Sequence, residues 1–176
     1  MMKSPMKISY EMQSVINRQI NNEFHSAYIY MTMSAKASEM NMKGFANWFE
    51  VQAKEEFYHA EGFMKYLIDR GGIVAAPAIE AVDSSWTSVE EMYKASLEQE
   101  QKVTADIDAM VALAHAEKDF ASVEFLNWYV REQVEEEATA SEILEQIRFA
   151  KSAPCALMFL DKQLSKRKLE KPEIWE

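Results

Sequence analysis

Apolar residues return at three- and four-residue steps through most of this chain, the spacing of helices that bury one face. The first such segment, about 9–38, lines up Ile16, Ile20, Glu23, Ala27, Tyr30 and Ser34. Asn41 and Gly44 mark a short turn, so the second segment, about 44–70, returns antiparallel with Phe45, Phe49, Gln52, Glu56, His59, Phe63 and Tyr66 on its stripe. Gly71-Gly72 ends it. Roughly 15 residues without periodicity follow, through Pro77 to Trp86-Thr87-Ser88, which is long for a connection in a compact domain. Such a loop carries the chain along the length of a bundle and lets the second and third helices run parallel. Ser88-Val89-Glu90-Glu91 is a capping box opening the third helix, whose stripe is Tyr93, Leu97, Glu100, Thr104, Ile107, Val111 and Ala114. After the turn Glu117-Lys118-Asp119, a fourth helix over about 120–149 carries Phe125, Tyr129, Gln133, Glu136, Ala140, Ile143 and Ile147. Pro154 opens a short fifth helix, about 154–166, with Leu157, Phe159, Leu160 and Leu164, and the charged tail 167–176 is expected to fray. The pattern predicts an all-α fold over 1–176 as a single domain: a four-helix bundle (about 9–149), one long crossover loop and a fifth helix.

Composition narrows the partners. A net charge of −10 argues against nucleic acid and for cations. No apolar run reaches membrane-spanning length, and the first ten residues have no apolar core of a signal peptide. The single cysteine, Cys155, leaves no disulfide framework or paired CxxC knuckles, which suits a reducing, cytoplasmic setting.

The informative feature is what interrupts the stripes. Glu23, Glu56 with His59, Glu100, and Gln133 with Glu136 fall near the middle of the four long helices, and no Lys or Arg shares their stripes. Unpaired buried carboxylates are strongly unfavourable, so cations at that level are the cheapest resolution. Glu56-x-x-His59 aims a carboxylate and an imidazole at one point. Carboxylates with one imidazole and no thiolate suit a hard or borderline divalent ion, and several acids around two ions suggest a dinuclear iron or manganese centre. Bundle di-metal centres carry Glu-x-x-His on two helices; here the fourth helix has Gln133-x-x-Glu136 instead.

Asn22-Glu23-Phe24, Glu55-Glu56-x-x-His59, Leu97-Glu98-Gln99-Glu100 and the run Asn127 to Glu137 together give a chain that, from about Ile8 to Leu164, resembles the prokaryotic non-haem ferritins. The resemblance implies the ferritin-like bundle, a ferroxidase centre, and iron storage as an oxide mineral inside a hollow cage of 24 subunits, with Fe(II) and O2 as substrates. It implies that Glu23, Glu56 and His59 hold one iron, that Glu56 and Glu100 hold the second with Gln133 beside it, and that Glu55, Glu132, Glu135 and Glu136 form a third iron site. Tyr30 matches the family's site tyrosine. Phe57 stands where a haem-binding Met would be expected next to Glu56, so no haem is expected.

Blander readings compete at several positions. Glu98 competes with Glu100 for the inward place, and Gln133 and Glu136 lie in or beside an acidic run of the kind that usually faces water. Glu55 and Glu135 fall off the stripe centres, where a surface position is as good a reading. Tyr30 and Trp128 read by default as core aromatics, and Cys155 as a packed small residue. His25 and His115 have no acid at ligand spacing. The fifth helix's apolar face lies beyond the four-helix core and is expected at a subunit junction. Two other functions remain open: a rubrerythrin-type di-iron peroxide reductase without storage, and a partner-binding bundle whose acids are solvated.

Overall fold

The computed structural model describes residues 8–151 and 153–170. Its elements are α1 (Tyr10–Glu39), α2 (Lys43–Asp69), α3 (Val89–Glu117), α4 (Phe120–Ala150) and α5 (Pro154–Leu164). Local chemistry sets the helix starts. Ser9 Oγ accepts from the Met12 N–H, Ser88 Oγ from Glu91, and Asp119 from Ser122, each meeting one orphan donor of a first turn. The capping box at Ser88 closes one residue early: Glu91 Oε2 takes the Thr87 N–H at 2.6 Å. α1 and α3 give way to turns at Asn41 and Lys118, both left-handed, with φ of 60° and 57°.

Side-chain pairings fix the topology. Ser9 meets Glu117, Asn22 meets Asp106 and Tyr30 meets Ser96, so α1 and α3 are antiparallel. Gln52 meets Glu136, Tyr129 meets His59 and Tyr66 meets Ser122, so α2 and α4 are antiparallel. The short turn makes α2 antiparallel to α1, with Ser34 reaching the Ala46 carbonyl. α2 and α3 are therefore parallel, and residues 70–88 make the crossover without a helix of their own.

The core falls into two apolar plugs. One gathers Tyr30, Phe45, Phe49, Tyr93, Leu144 and Ile147; the other gathers Met12, Ile16, Phe63, Leu67, Ile107 and Tyr129. Full burial of one such side chain is worth about 1.5–3 kcal/mol. Between the plugs lie the buried polar residues Gln19, Glu23, Gln52, Glu56, His59, Glu100, Gln133 and Glu136. On α3 the inward line runs through Ser96, Val103 and Met110, while Leu97, Thr104 and Val111 flank it half-buried. Periods of three and four cannot be told apart where small and branched residues alternate.

The C-terminal region departs from expectation. The fifth helix does not leave its whole apolar face outside the bundle: Leu160 and Leu164 are buried against the first plug, while Met158 and Phe159 stay largely exposed. Cys155 is exposed rather than packed. Arg167 is not frayed. Its backbone carbonyl accepts from Asn47 Nδ2 at 3.1 Å, its guanidinium lies 4.3 Å from the Trp48 ring centre, and it forms an ion pair with Glu55. A planar cation can stack on an indole and bind a carboxylate at once, which accounts for the docking. The final stretch 171–176 lies outside the described residues.

Candidate metal centre

The polar layer is built where four helices reach the same level. α1 supplies Glu23, 1 % exposed; α2 supplies Glu56 and His59, three residues apart on one face; α3 supplies Glu100; α4 supplies Gln133 and Glu136. Ligand atoms of Glu23, Glu56 and His59 lie within 4.8 Å of one another, and so do those of His59, Glu132 and Glu136. The imidazole is the hinge between the groups. Its Nδ1 is 3.5 Å from Glu56 Oε2 and its Nε2 is 3.9 Å from Glu132 Oε1.

Donors hold the acids in place. Gln19 Nε2 donates to Glu23 Oε1 at 2.8 Å. Gln52 Nε2 donates to both Glu56 Oε1 at 3.0 Å and Glu136 Oε2 at 2.9 Å. Glu100 accepts from the Tyr30 hydroxyl and, at 3.3 Å, from Gln133 Nε2. Tyr129 donates to the His59 carbonyl at 2.9 Å. The Trp128 ring stands edge-on to the imidazole, 5.5 Å away. Three buried atoms of the layer, Glu23 Oε2, Gln52 Oε1 and His59 Nε2, have no hydrogen-bond partner.

Among the described residues, Glu23, Glu56, Glu100 and Glu136 form no ion pair with a Lys or Arg. The electrostatic consequence is clear. Burial, reinforced by Glu56, raises Glu23 to about 8, with His59 and Gln19 opposing. Burial and Glu56 raise Glu136 to about 7. Burial pushes Glu100 well above the carboxylate range. Glu56 alone moves down: hydrogen bonds from His59 and Gln52 outweigh its burial. His59 rises to about 10, since Glu56, Glu23 and Glu136 outweigh the burial that opposes its charge. Without metal, then, the layer stays tolerable by sharing protons, and a divalent ion is what would release them.

The remaining sequence candidates are arranged less uniformly. Glu132 is half-buried and faces His59. Glu55 is half-buried too, but its carboxylate is turned to Arg167. Glu135 is exposed and belongs to neither ligand group. Glu98 is exposed, leaving Glu100 as the inward acid. Sequence reasoning gave no role to Gln19, Gln52 or Arg167. Gln52 did leave a signal, a polar residue on the core stripe one turn before Glu56; Gln19 sits beside the stripe, and Arg167 lies far along the chain.

Comparison with known proteins adds the following. The Ferritin-like domain family matches residues 13–150. A bacterial non-heme ferritin of Bacteroides fragilis is 41 % identical over 160 residues, spanning 91 % of this chain and 99 % of that protein. One from Staphylococcus saprophyticus is 34 % identical over 166 residues, 94 % of this chain and 99 % of its own length. Among solved structures, a closed form of the Archaeoglobus fulgidus ferritin engineered by site-directed mutagenesis superposes with a TM-score of 0.91 at 43 % identity, covering 93 % of this chain and all of that one. The open-pore ferritin of the same archaeon gives 0.90 at 44 % identity, over 92 % of this chain and 100 % of its own.

Proposed function

The chain belongs to the ferritin-like family, and from that premise we propose that it is an iron-storage protein that oxidises Fe(II) with O2 at a dinuclear centre. The observation that carries the reading is the dry cluster of Glu23, Glu56 and His59, whose ligand atoms converge within 4.8 Å while no Lys or Arg among the described residues pairs with them. Fe(II) is the substrate here, not a resident cofactor. Glu23, Glu56 and His59 take one ion. Glu56 reaches toward the second, which Glu100 binds with Gln133 beside it. Glu132 and Glu136 receive a third.

Each group has a task in this scheme. Carboxylates favour the harder Fe(III) over Fe(II), so an acid-rich ligand set lowers the potential and assists electron transfer to O2. The Tyr30 hydroxyl holds Glu100 in one orientation. Gln52 couples Glu56 to Glu136 through one amide. The carboxyls of Glu23 and Glu136 give up protons as the ions enter. Only one imidazole serves the layer, so the second ion is held mainly by oxygen and is passed on rather than kept. The Fe(III) product moves to an oxide mineral inside a cage of identical subunits, which the likeness to ferritins supports.

Aerobic addition of Fe(II) to the purified protein tests the reading. Storage predicts rapid oxidation and retention of far more iron than the site can hold, with sedimentation as a particle of about 24 subunits. Retention of only two or three ions per subunit would point to a di-iron oxidoreductase without storage. No catalysed oxidation would remove the enzymatic reading altogether.

A further inference from the structure

Beside the dinuclear centre lies a cavity of about 810 Å3 whose wall includes Glu55, His59, Glu132, Glu136 and Arg167. Its acids are not the whole observation. His59 is 2 % exposed, and its buried Nε2 has no hydrogen-bond partner, 3.9 Å from Glu132 Oε1. Among the described residues, Glu55 is the acid of this wall that pairs with an arginine or lysine, Arg167. That arginine is held at several points: its carbonyl by Asn47, its guanidinium over the Trp48 ring, and its Nη1 on the Trp48 carbonyl at 3.4 Å. Its charge also reaches Glu132 and Glu136, where it favours the ionised forms.

We propose that Arg167 is the displaceable counter-cation of the third metal position, occupying Glu55 until a metal ion takes that carboxylate. The inference rests on the reading that this pocket receives iron. A guanidinium and a metal ion compete for the same oxygens. While Arg167 is docked, the third position has Glu132 and Glu136 at hand and lacks Glu55. When an ion enters, Glu55 rotates to it and the guanidinium stays on the Trp48 face. Arg167 thus weakens the third position relative to the first two and keeps it a place of transit. Arg167 is a positioning residue acting through Glu55, and it touches no reacting atom.

The test is anaerobic titration of the assembled, metal-free protein with Zn(II), a redox-inert probe, by calorimetry. Wild type should bind two ions tightly per subunit and a third more weakly. Arg167→Gln should tighten only the third, by about tenfold, because a charge-assisted competitor is gone. Asn47→Ala, which frees the arginine's backbone while keeping its charge, should tighten it by a smaller factor. Glu55→Gln should weaken the third class and abolish the effect of adding Arg167→Gln. A purely structural Arg167 would lower thermal stability and leave the third affinity unchanged, and that result overturns the proposal. Loss of the third class in Arg167→Gln overturns it equally. If Arg167→Gln does not assemble, the absence of any tightening in Asn47→Ala decides against it. A wild-type protein with a tight pair but no third class sinks this inference alone; one with no tight pair sinks the functional reading as well.

Discussion

Asp161 Oδ1 accepts the Gly44 backbone N–H at 2.8 Å and the Phe45 N–H at 3.0 Å. α2 has no side-chain cap of its own, since Met42 holds the N-cap position. The missing cap is supplied by α5, more than a hundred residues later. The two helices approach so closely that a Cβ at Gly44 would stand 1.6 Å from the Asp161 carbonyl oxygen. A carboxylate at a helix N-terminus also meets the positive end of the dipole.

Two substitutions probe that junction. Asp161→Ala should cost about 1 kcal/mol, the usual value of a lost N-cap. Gly44→Ala should cost more, about 1–3 kcal/mol, because the backbone of α5 has to move away. Thermal unfolding of the metal-free proteins at matched concentration measures both. Increased protease cleavage near 151–153 should accompany Gly44→Ala. Unchanged midpoints in both variants would mean that α5 is not docked as described.

The helices were legible because their signals are local. Stripe spacing, the capping box at Ser88 and the Gly71-Gly72 stop each act within a few residues of one another. The inward acids were legible for the same reason, since Glu56 and His59 are marked by the Phe49 to Phe63 stripe around them. What escaped was chemistry between distant segments. Nothing near Arg167 in the sequence announces Trp48 or Glu55, and nothing near Asp161 announces an uncapped helix. Charged residues after a last helix look like a solvated tail whether or not they dock. The buried fate of Leu160 and Leu164 was hidden likewise, because an apolar face does not say which surface it covers.

Glu56 and His59 carry the sharpest expectation. Both contribute to the first ligand group, and the charge of Glu56 raises the pKa of Glu23, Glu100 and Glu136 alike. Glu56→Ala or His59→Ala should slow the initial oxidation of Fe(II) by about a hundredfold or more, beyond what loss of a supporting hydrogen bond does. The metal-free bundle should still fold but with a lower midpoint, because removing one partner of the buried Glu56–His59 pair leaves the other uncompensated. Stopped-flow absorbance gives the first quantity and circular dichroism the second. Oxidation at the wild-type rate in either variant would refute the ligand assignment.

Gln52 should matter although it need not touch iron. Its amide nitrogen is shared between Glu56 and Glu136, and its buried oxygen is unpartnered. Gln52→Leu keeps the volume and removes the donor, so both carboxylates lose their orientation. The expected result is about a tenfold loss of Zn(II) affinity at the tight pair, the low end of the usual effect of such supporting groups. Gln52→Glu should do more harm at neutral pH, since it adds a fifth buried acid to Glu23, Glu56, Glu100 and Glu136 and supplies no donor. Calorimetric titration of the two variants beside wild type separates orientation from charge, and equal affinities in all three would show that the amide does neither.

Asp119 gives a prediction in pH rather than in metal. Its carboxylate receives Arg70 Nη2 at 3.0 Å on both oxygens and the Ser122 hydroxyl at 2.7 Å. Partial burial opposes the charge, but Arg70 and Ser122 outweigh it and hold the group below its usual range. A carboxyl whose folded pKa is depressed stabilises the fold above its unfolded value, about 3.9, and loses that contribution as pH falls through the lower folded value. Asp119→Asn keeps a capping side chain and removes the charge. The difference in urea unfolding between wild type and Asp119→Asn, at matched protein concentration, should be flat above about pH 5 and shrink toward zero as pH falls below the unfolded value of about 3.9. Raising salt should lower the plateau only a little, because both side chains are mostly covered and partly buried pairs are screened weakly. A difference that stays constant down to the lowest pH would mean the aspartate acts through its hydrogen bonds alone, with the Arg70 ion pair adding nothing.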